Sequence, residues 1–192
     1  MNTLPSPPKN SLGSELNPIT EELPAYWSLL APAFALLGGL FSIIGAFCTE
    51  LTSGGFLVVF VGAPIIEECL KPCGVYLLQA KWPKALRSQS YTALLTALSG
   101  LTFALVENVV YLKVYIPDAD LRLIIWRYTI GLTMHTVASF IFGFGINQKL
   151  IAGVKGEIKF LSTGKRFFFS AMILHSLYNI LVTVFATQLG FE

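Results

Sequence analysis

Apolar positions along the chain gather into five long blocks, roughly Tyr26 to Cys48, Gly55 to Gln79, Gln89 to Leu112, Leu123 to Ile146 and Arg166 to Gln188, joined by short polar connections. Each block reaches the length of about 20 residues that a helix needs to cross a hydrocarbon core roughly 30 Å thick. The blocks are hydrophobic on all sides and lack the two-residue alternation of barrel strands. The pattern therefore predicts an all-α, polytopic membrane helix bundle of about five transmembrane helices. Residues 1–24 are polar, proline-rich and without periodicity, which reads as a flexible tail. They contain no short apolar core behind a basic start, so they do not read as a cleavable signal peptide, and the first membrane helix serves as the insertion signal. Residues 25–192 read as one transmembrane domain.

Composition agrees with the pattern. Of the 192 residues 54% are hydrophobic and only 12% charged, and the mean hydropathy of +0.67 is more than a single soluble domain could bury. Charge then orients the blocks. Lys81, Lys84 and Arg87 follow the second block, and Lys149, Lys155, Lys159, Lys165 and Arg166 lie between the fourth and fifth, whereas the opposite side carries mainly Glu50, Lys113, Asp118, Asp120, Arg122 and Glu192. Basic connections are retained on the cytoplasmic side of a cell membrane, so the expected topology has a cytoplasmic amino terminus and an external carboxyl terminus. The net charge of +2 is then a topology signal and not a sign of nucleic-acid binding. The stretch "NQKLIAGVKGEIKFL" before the fifth block mixes lysines with apolar residues and reads equally as a short interfacial helix or as an ordinary basic loop.

Against this apolar background a few ionisable residues stand out: Glu67 and Glu68 in the second block, Glu107 in the third, His135 in the fourth and His175 in the fifth, with Lys71 and Arg127 nearer the ends of theirs. An unpaired charge at the bilayer centre costs about 2.5–3.5 kcal/mol even on the lenient insertion scale. Five such residues at mid-depth on four helices are most economically explained by convergence on one polar chamber. At about 100° per residue, Lys71 shares a face with Glu67 and Glu68, while Cys69 and Cys73 point away. With Cys48 they are too few and too deep for a disulfide framework, and packing is the better reading of all three. Pro72 offers no N–H to the Glu68 carbonyl and Pro64 none to that of Phe60, so the second helix is expected to be kinked or partly unwound around the glutamates. Gly62, Gly74, Ser99 and Gly100 are candidates for close helix approach. Phe103, Glu107 and Tyr111 form an i, i+4, i+8 row with Asn108 beside it; Ser139 follows His135 by one turn, and Asn179 follows His175 likewise.

Adjacent carboxylates beside histidine can activate water, with a histidine or asparagine stabilising the oxyanion of an amide. Glu67, Glu107, His135 and His175 also supply oxygen and nitrogen ligands suited to Zn²⁺ with an open position, and the spacing alone does not choose between the two modes. Two readings without hydrolysis use the same residues: an ion- or proton-coupled transporter with a mid-membrane Glu/His relay, and a non-catalytic membrane scaffold.

The segments "EECLK", "FALVEN", the histidine of the next helix and "HSLYN", in that order over about Gly55 to Thr183, resemble the PrsW family of intramembrane proteases, part of the wider CAAX-protease and bacteriocin-processing superfamily. The resemblance implies an intramembrane endopeptidase acting on membrane-anchored proteins, the best-known role in the family being site-1 cleavage of an anti-sigma factor. It implies Glu67 and Glu68 as the water-activating pair, with Glu107 where the prenyl-protein branch has a histidine. His135 and His175 would complete the site, and Lys71, Asn108 and Asn179 would support it, Asn179 as an oxyanion or orienting donor. A lysine where that branch has arginine argues against a CAAX-processing substrate.

Overall fold

The computed structural model describes residues 23–52, 55, 57–162 and 164–185, all in helices or their connections, with no strand among them. In order they are α1 (Trp27–Thr52), a π-helical turn (Val58–Gly62), α2 (Ala63–Leu70), α3 (Cys73–Lys81), a short 3-10 turn (Pro83–Leu86), α4 (Gln89–Val110) with a π-helical end (Tyr111–Tyr115), α5 (Leu121–Trp126), a π-helical turn (Arg127–Gly131), α6 (Leu132–Gly143), α7 (Gln148–Val154) and α8 (Lys165–Val184). Residues 1–22 and Gln188, at the end of the fifth block, lie outside the described residues.

Every expected block is mainly helical over its described residues. Three helices are long and apolar enough to span a membrane: Trp27–Cys48, Gln89–Tyr115 and Lys165–Val184. A fourth is present if Leu121–Gly143 and Gln148–Val154, bent by 75°, form one span. The second block is helical but divided, because α2 stops at Leu70 and α3 restarts at Cys73. The division falls at Pro72, whose missing N–H interrupts the ladder, and the Ser99 hydroxyl of α4 donates to the buried Lys71 carbonyl there. The kink lies one turn beyond the glutamates, with a π-helical turn before Pro64 as its counterpart. Within the basic stretch after the fourth block, α7 forms a short helix whose Asn147 side chain caps the Lys149 amide.

The bundle is inverted relative to a soluble protein. Leu29, Phe41, Leu57, Leu94, Phe169 and Ile173 stand outside, whereas Glu67, Glu68, Lys71, Asn108, His135 and His175 are buried. A lipid-facing coat around a polar interior gives that arrangement.

Small residues let the polar interior close. A methyl added to Gly100 would stand 2.6 Å from Ser139 Cβ and 2.8 Å from the His135 carbonyl, so α4 and α6 meet there backbone to side chain. One added to Gly74 would overlap the Phe34 carbonyl of α1. Gly62, another expected contact, plays no such part, since its surroundings begin only at 3.9 Å and belong to its own turn. Apolar packing by Val75, Leu78, Leu95, Phe142, Ile146 and Phe168 fills the bundle on the α3 and α7 side of this layer.

Candidate active site

Four elements deliver the chamber: α2 with Glu67, Glu68 and Lys71 at its end, α4 with Glu107, α6 with His135 and α8 with His175. Lys71 is fully buried, its Nζ 2.6 Å from Glu68 Oε1, 3.4 Å from Glu67 Oε2 and 2.8 Å from His135 Nδ1. Phe103 of α4 closes over it, with the ammonium 4.5 Å from the ring centroid. An ammonium so placed sits where two carboxylates and an aromatic face offset its loss of water.

The two histidines are held alike. Glu68 Oε1 accepts from His175 Nδ1 at 2.9 Å, and Glu107 Oε2 accepts from His135 Nε2 at 3.1 Å. A carboxylate only accepts, so each ring uses its bound nitrogen as donor and leaves the other as an acceptor, which in His135 receives the Lys71 ammonium at 2.8 Å. Both remaining nitrogens also lie near one atom, Glu67 Oε2, which is 3.9 Å from His135 Nδ1 and 3.8 Å from His175 Nε2. The rings stand edge to face with centroids 4.7 Å apart.

Glu68 and Glu67 thus have different surroundings although they are neighbours in sequence. Glu68 is engaged at both oxygens, with Lys71 and His175 on Oε1 and the Ser139 hydroxyl 3.4 Å from Oε2. Glu67 Oε2 is buried and accepts no hydrogen bond; its nearest cation is Lys71.

All five expected residues come together, and Lys71 joins them. Asn108 stands one step back, accepting from Arg127 Nε at 3.0 Å and donating to the Arg127 carbonyl at 3.0 Å. Asn179 is used elsewhere, its amide donating to the Val59 carbonyl in the π-helical turn. Cys69 and Cys73 lie away from the chamber as the helical wheel predicts, with Cys73 Sγ donating to the Gly38 carbonyl of α1 at 3.3 Å. Sequence reasoning placed Arg127 only near the end of its segment, whereas its Nη2 reaches Glu107 Oε2 at 3.2 Å. The available signal was Glu107 itself, a carboxylate in an apolar helix with no cation three or four residues away on its own helix.

The donor set suits a zinc-class ion. Glu67, His135 and His175 offer three ligand atoms within 4.8 Å of one another. A tetrahedral zinc site has ligand-to-ligand edges of roughly 3.3 Å for bonds of about 2.0–2.1 Å, so the two carboxylate–histidine edges need shorten by about half an ångström and the histidine–histidine edge by up to about 1.5 Å. Three carboxylates, Glu67, Glu68 and Glu107, face two basic side chains, Lys71 and Arg127, and Glu67 Oε2 is buried with no hydrogen bond. Each histidine is backed by a carboxylate, the arrangement that fixes tautomer and ring direction in metal sites. Glu107, the fourth ligand candidate, lies on the far nitrogen of His135.

A family model, that of the PrsW family intramembrane metalloprotease, matches residues 25–191. No curated protein and no solved structure matches the chain.

Proposed function

Given that the chain belongs to the PrsW family of intramembrane metalloproteases, and is therefore a membrane-embedded hydrolase acting on proteins in the lipid environment, we propose that it cleaves a peptide bond of a membrane-anchored protein at the Glu67, His135 and His175 cluster. The observation that carries this reading is the convergence of His135 Nδ1 and His175 Nε2 on the one buried carboxylate oxygen, Glu67 Oε2, that has no hydrogen bond.

Glu67, His135 and His175 would hold a zinc-class ion. Such an ion, when bound, supplies Lewis acidity toward a peptide carbonyl and makes water easier to ionise. The protein's own groups do the remainder. Glu68 holds the proton of His175 on Nδ1, and Glu107 holds that of His135 on Nε2, so both rings carry a lone pair on the Glu67 side, that of His135 being held by the Lys71 ammonium until an ion replaces it. Lys71 pairs with both carboxylates from within and donates to Glu68 Oε1. Burial excludes bulk water, so the fixed charges act in a medium where they are strong. The interrupted backbone at Lys71 and Pro72 supplies irregular structure at membrane depth, the kind tolerated only beside protein or a wet cavity.

In this reading residues 25–192 form the catalytic membrane unit, preceded by a cytoplasmic tail over residues 1–24. The basic connections lie on the cytoplasmic side and the carboxyl terminus is external. Purified protein in proteoliposomes is expected to cut a single-span substrate, and Glu67→Gln is expected to stop the cutting while the helical content is retained. Undiminished cleavage by that variant would overturn the assignment.

A further inference from the structure

An arginine near the end of an apolar segment ordinarily extends its stem toward the interface and leaves the guanidinium in water. Arg127 turns inward instead. Its Nη2 reaches Glu107 Oε2 at 3.2 Å, its Nε donates to Asn108 Oδ1 at 3.0 Å, and its guanidinium carbon lies 3.8 Å from the centroid of the Tyr111 ring. Asn108 also donates to the Arg127 carbonyl, so one amide grips both the side chain and the backbone of the arginine. That grip falls at the start of the π-helical turn Arg127–Gly131, an interruption of the regular ladder often seen beside functional sites.

The oxygen that Arg127 reaches is the one that receives His135. Glu107 Oε2 accepts from Arg127 Nη2 and from His135 Nε2 at 3.1 Å. The guanidinium fixes where that oxygen stands, and the oxygen takes the Nε2 proton of a ring whose Nδ1 accepts from the Lys71 ammonium at 2.8 Å. Phe103, one turn before Glu107, packs its ring 5.7 Å from that of His135 and limits its tilt.

We propose that Arg127 is a positioning residue of the hydrolytic site: by anchoring Glu107 Oε2 it acts together with the Lys71 ammonium on Nδ1 to hold His135 as the Nε2–H tautomer, with Nδ1 on the Glu67 side of the ring. The link to turnover rests on the function proposed above; the link to the His135 tautomer does not. A simple staple between α4 and the turn before α6 would alter stability alone, whereas a positioning residue alters His135 itself.

Two histidines in the chain make the test direct. In metal-free, ¹⁵N-histidine-labelled protein in bilayers, His135 is expected to give one protonated Nε2 and one Nδ1 that accepts from Lys71, with His175→Gln identifying its signals. Arg127→Gln is expected to move and broaden the Nε2 signal as Glu107 loses its anchor, and to lower kcat about 10–100-fold, the usual effect of losing a group behind a ligand, with KM changed by less than about threefold. Arg127→Lys retains a cation for Glu107 but loses the bond to Asn108 Oδ1, and is expected to recover part of both. Should Arg127→Gln not yield folded protein, Arg127→Lys decides alone, by the same movement of the His135 Nε2 signal. An unchanged His135 spectrum with unchanged kcat in a folded variant would overturn the proposal. Full cleavage by Glu67→Gln would instead remove the function reading and leave the His135 spectrum to judge Arg127.

Discussion

The two histidine arms of the site repeat one electrical plan in two different constructions. In the first, His175 donates to Glu68 and Glu68 is balanced by Lys71, three residues further along the same helix. In the second, His135 donates to Glu107 and Glu107 is balanced by Arg127, twenty residues away on another element. The first is sealed, with no exposure of either the Lys71 or the Glu68 side chain. The second is looser, with 16% of the Arg127 side chain and 12% of that of Glu107 accessible. A cation built into the local sequence can be buried completely because folding the helix already brings it to its partner. A cation recruited from elsewhere needs further anchors, here Asn108 and Tyr111.

Both arms aim at Glu67, so its loss should produce the largest effect and erase the distinction between them. Glu67→Gln is expected to lower kcat/KM on the order of 10³-fold or more in a proteoliposome assay. A loss below tenfold would mean that the arms serve some other group. The next effect should separate them by stability. Lys71→Met leaves sealed carboxylates without their cation and is expected to cost about 3–5 kcal/mol in denaturant unfolding in micelles. Arg127→Met, in the more accessible arm, is expected to cost about 1–3 kcal/mol. Equal costs would contradict the contrast between a sealed and an open construction.

What the sequence disclosed follows the same division. Glu67, Glu68 and Lys71 were legible as a unit because helical periodicity alone places them on one face, and the same periodicity sent Cys69 and Cys73 outward. His135 and His175 were legible as members because an ionisable group in an apolar helix is expensive unless it converges with others. The break after Lys71 could be anticipated from Pro72. By contrast, the π-helical turn Arg127–Gly131 has no local marker, and the pairing of Arg127 with Glu107 depends on how α4 meets α6. Nor could spacing show that Glu67 faces the histidine nitrogens while its neighbour Glu68 stands behind one of them. Asn179 was expected beside His175 by its i,i+4 spacing, and it does lie one turn away, but a carbonyl of the π-helical turn engages its amide.

Smaller effects test the arms one at a time. Glu68→Gln and Glu107→Gln each keep their size and lose the full charge that orders a histidine, and each is expected to reduce metal affinity and turnover about 10–100-fold. The larger loss is expected for Glu68, which also serves Lys71; titration of stripped protein with zinc, followed by turnover at saturating metal, measures both quantities. The smallest change is expected for Asn179→Ala, with loss of about 1 kcal/mol of stability and turnover within about threefold of the parent. A loss of about a hundredfold or more in kcat would instead place Asn179 at the reacting carbonyl.

The most direct test of a shared focus at Glu67 is elemental analysis of purified protein, comparing the parent with Glu67→Gln and His175→Ala. One zinc-class ion per chain is expected in the parent, together with cleavage that chelation stops and added zinc restores, and a much reduced metal content is expected in both variants. Full cleavage by metal-free parent protein in the presence of chelator, or parental metal content in both variants, would contradict it.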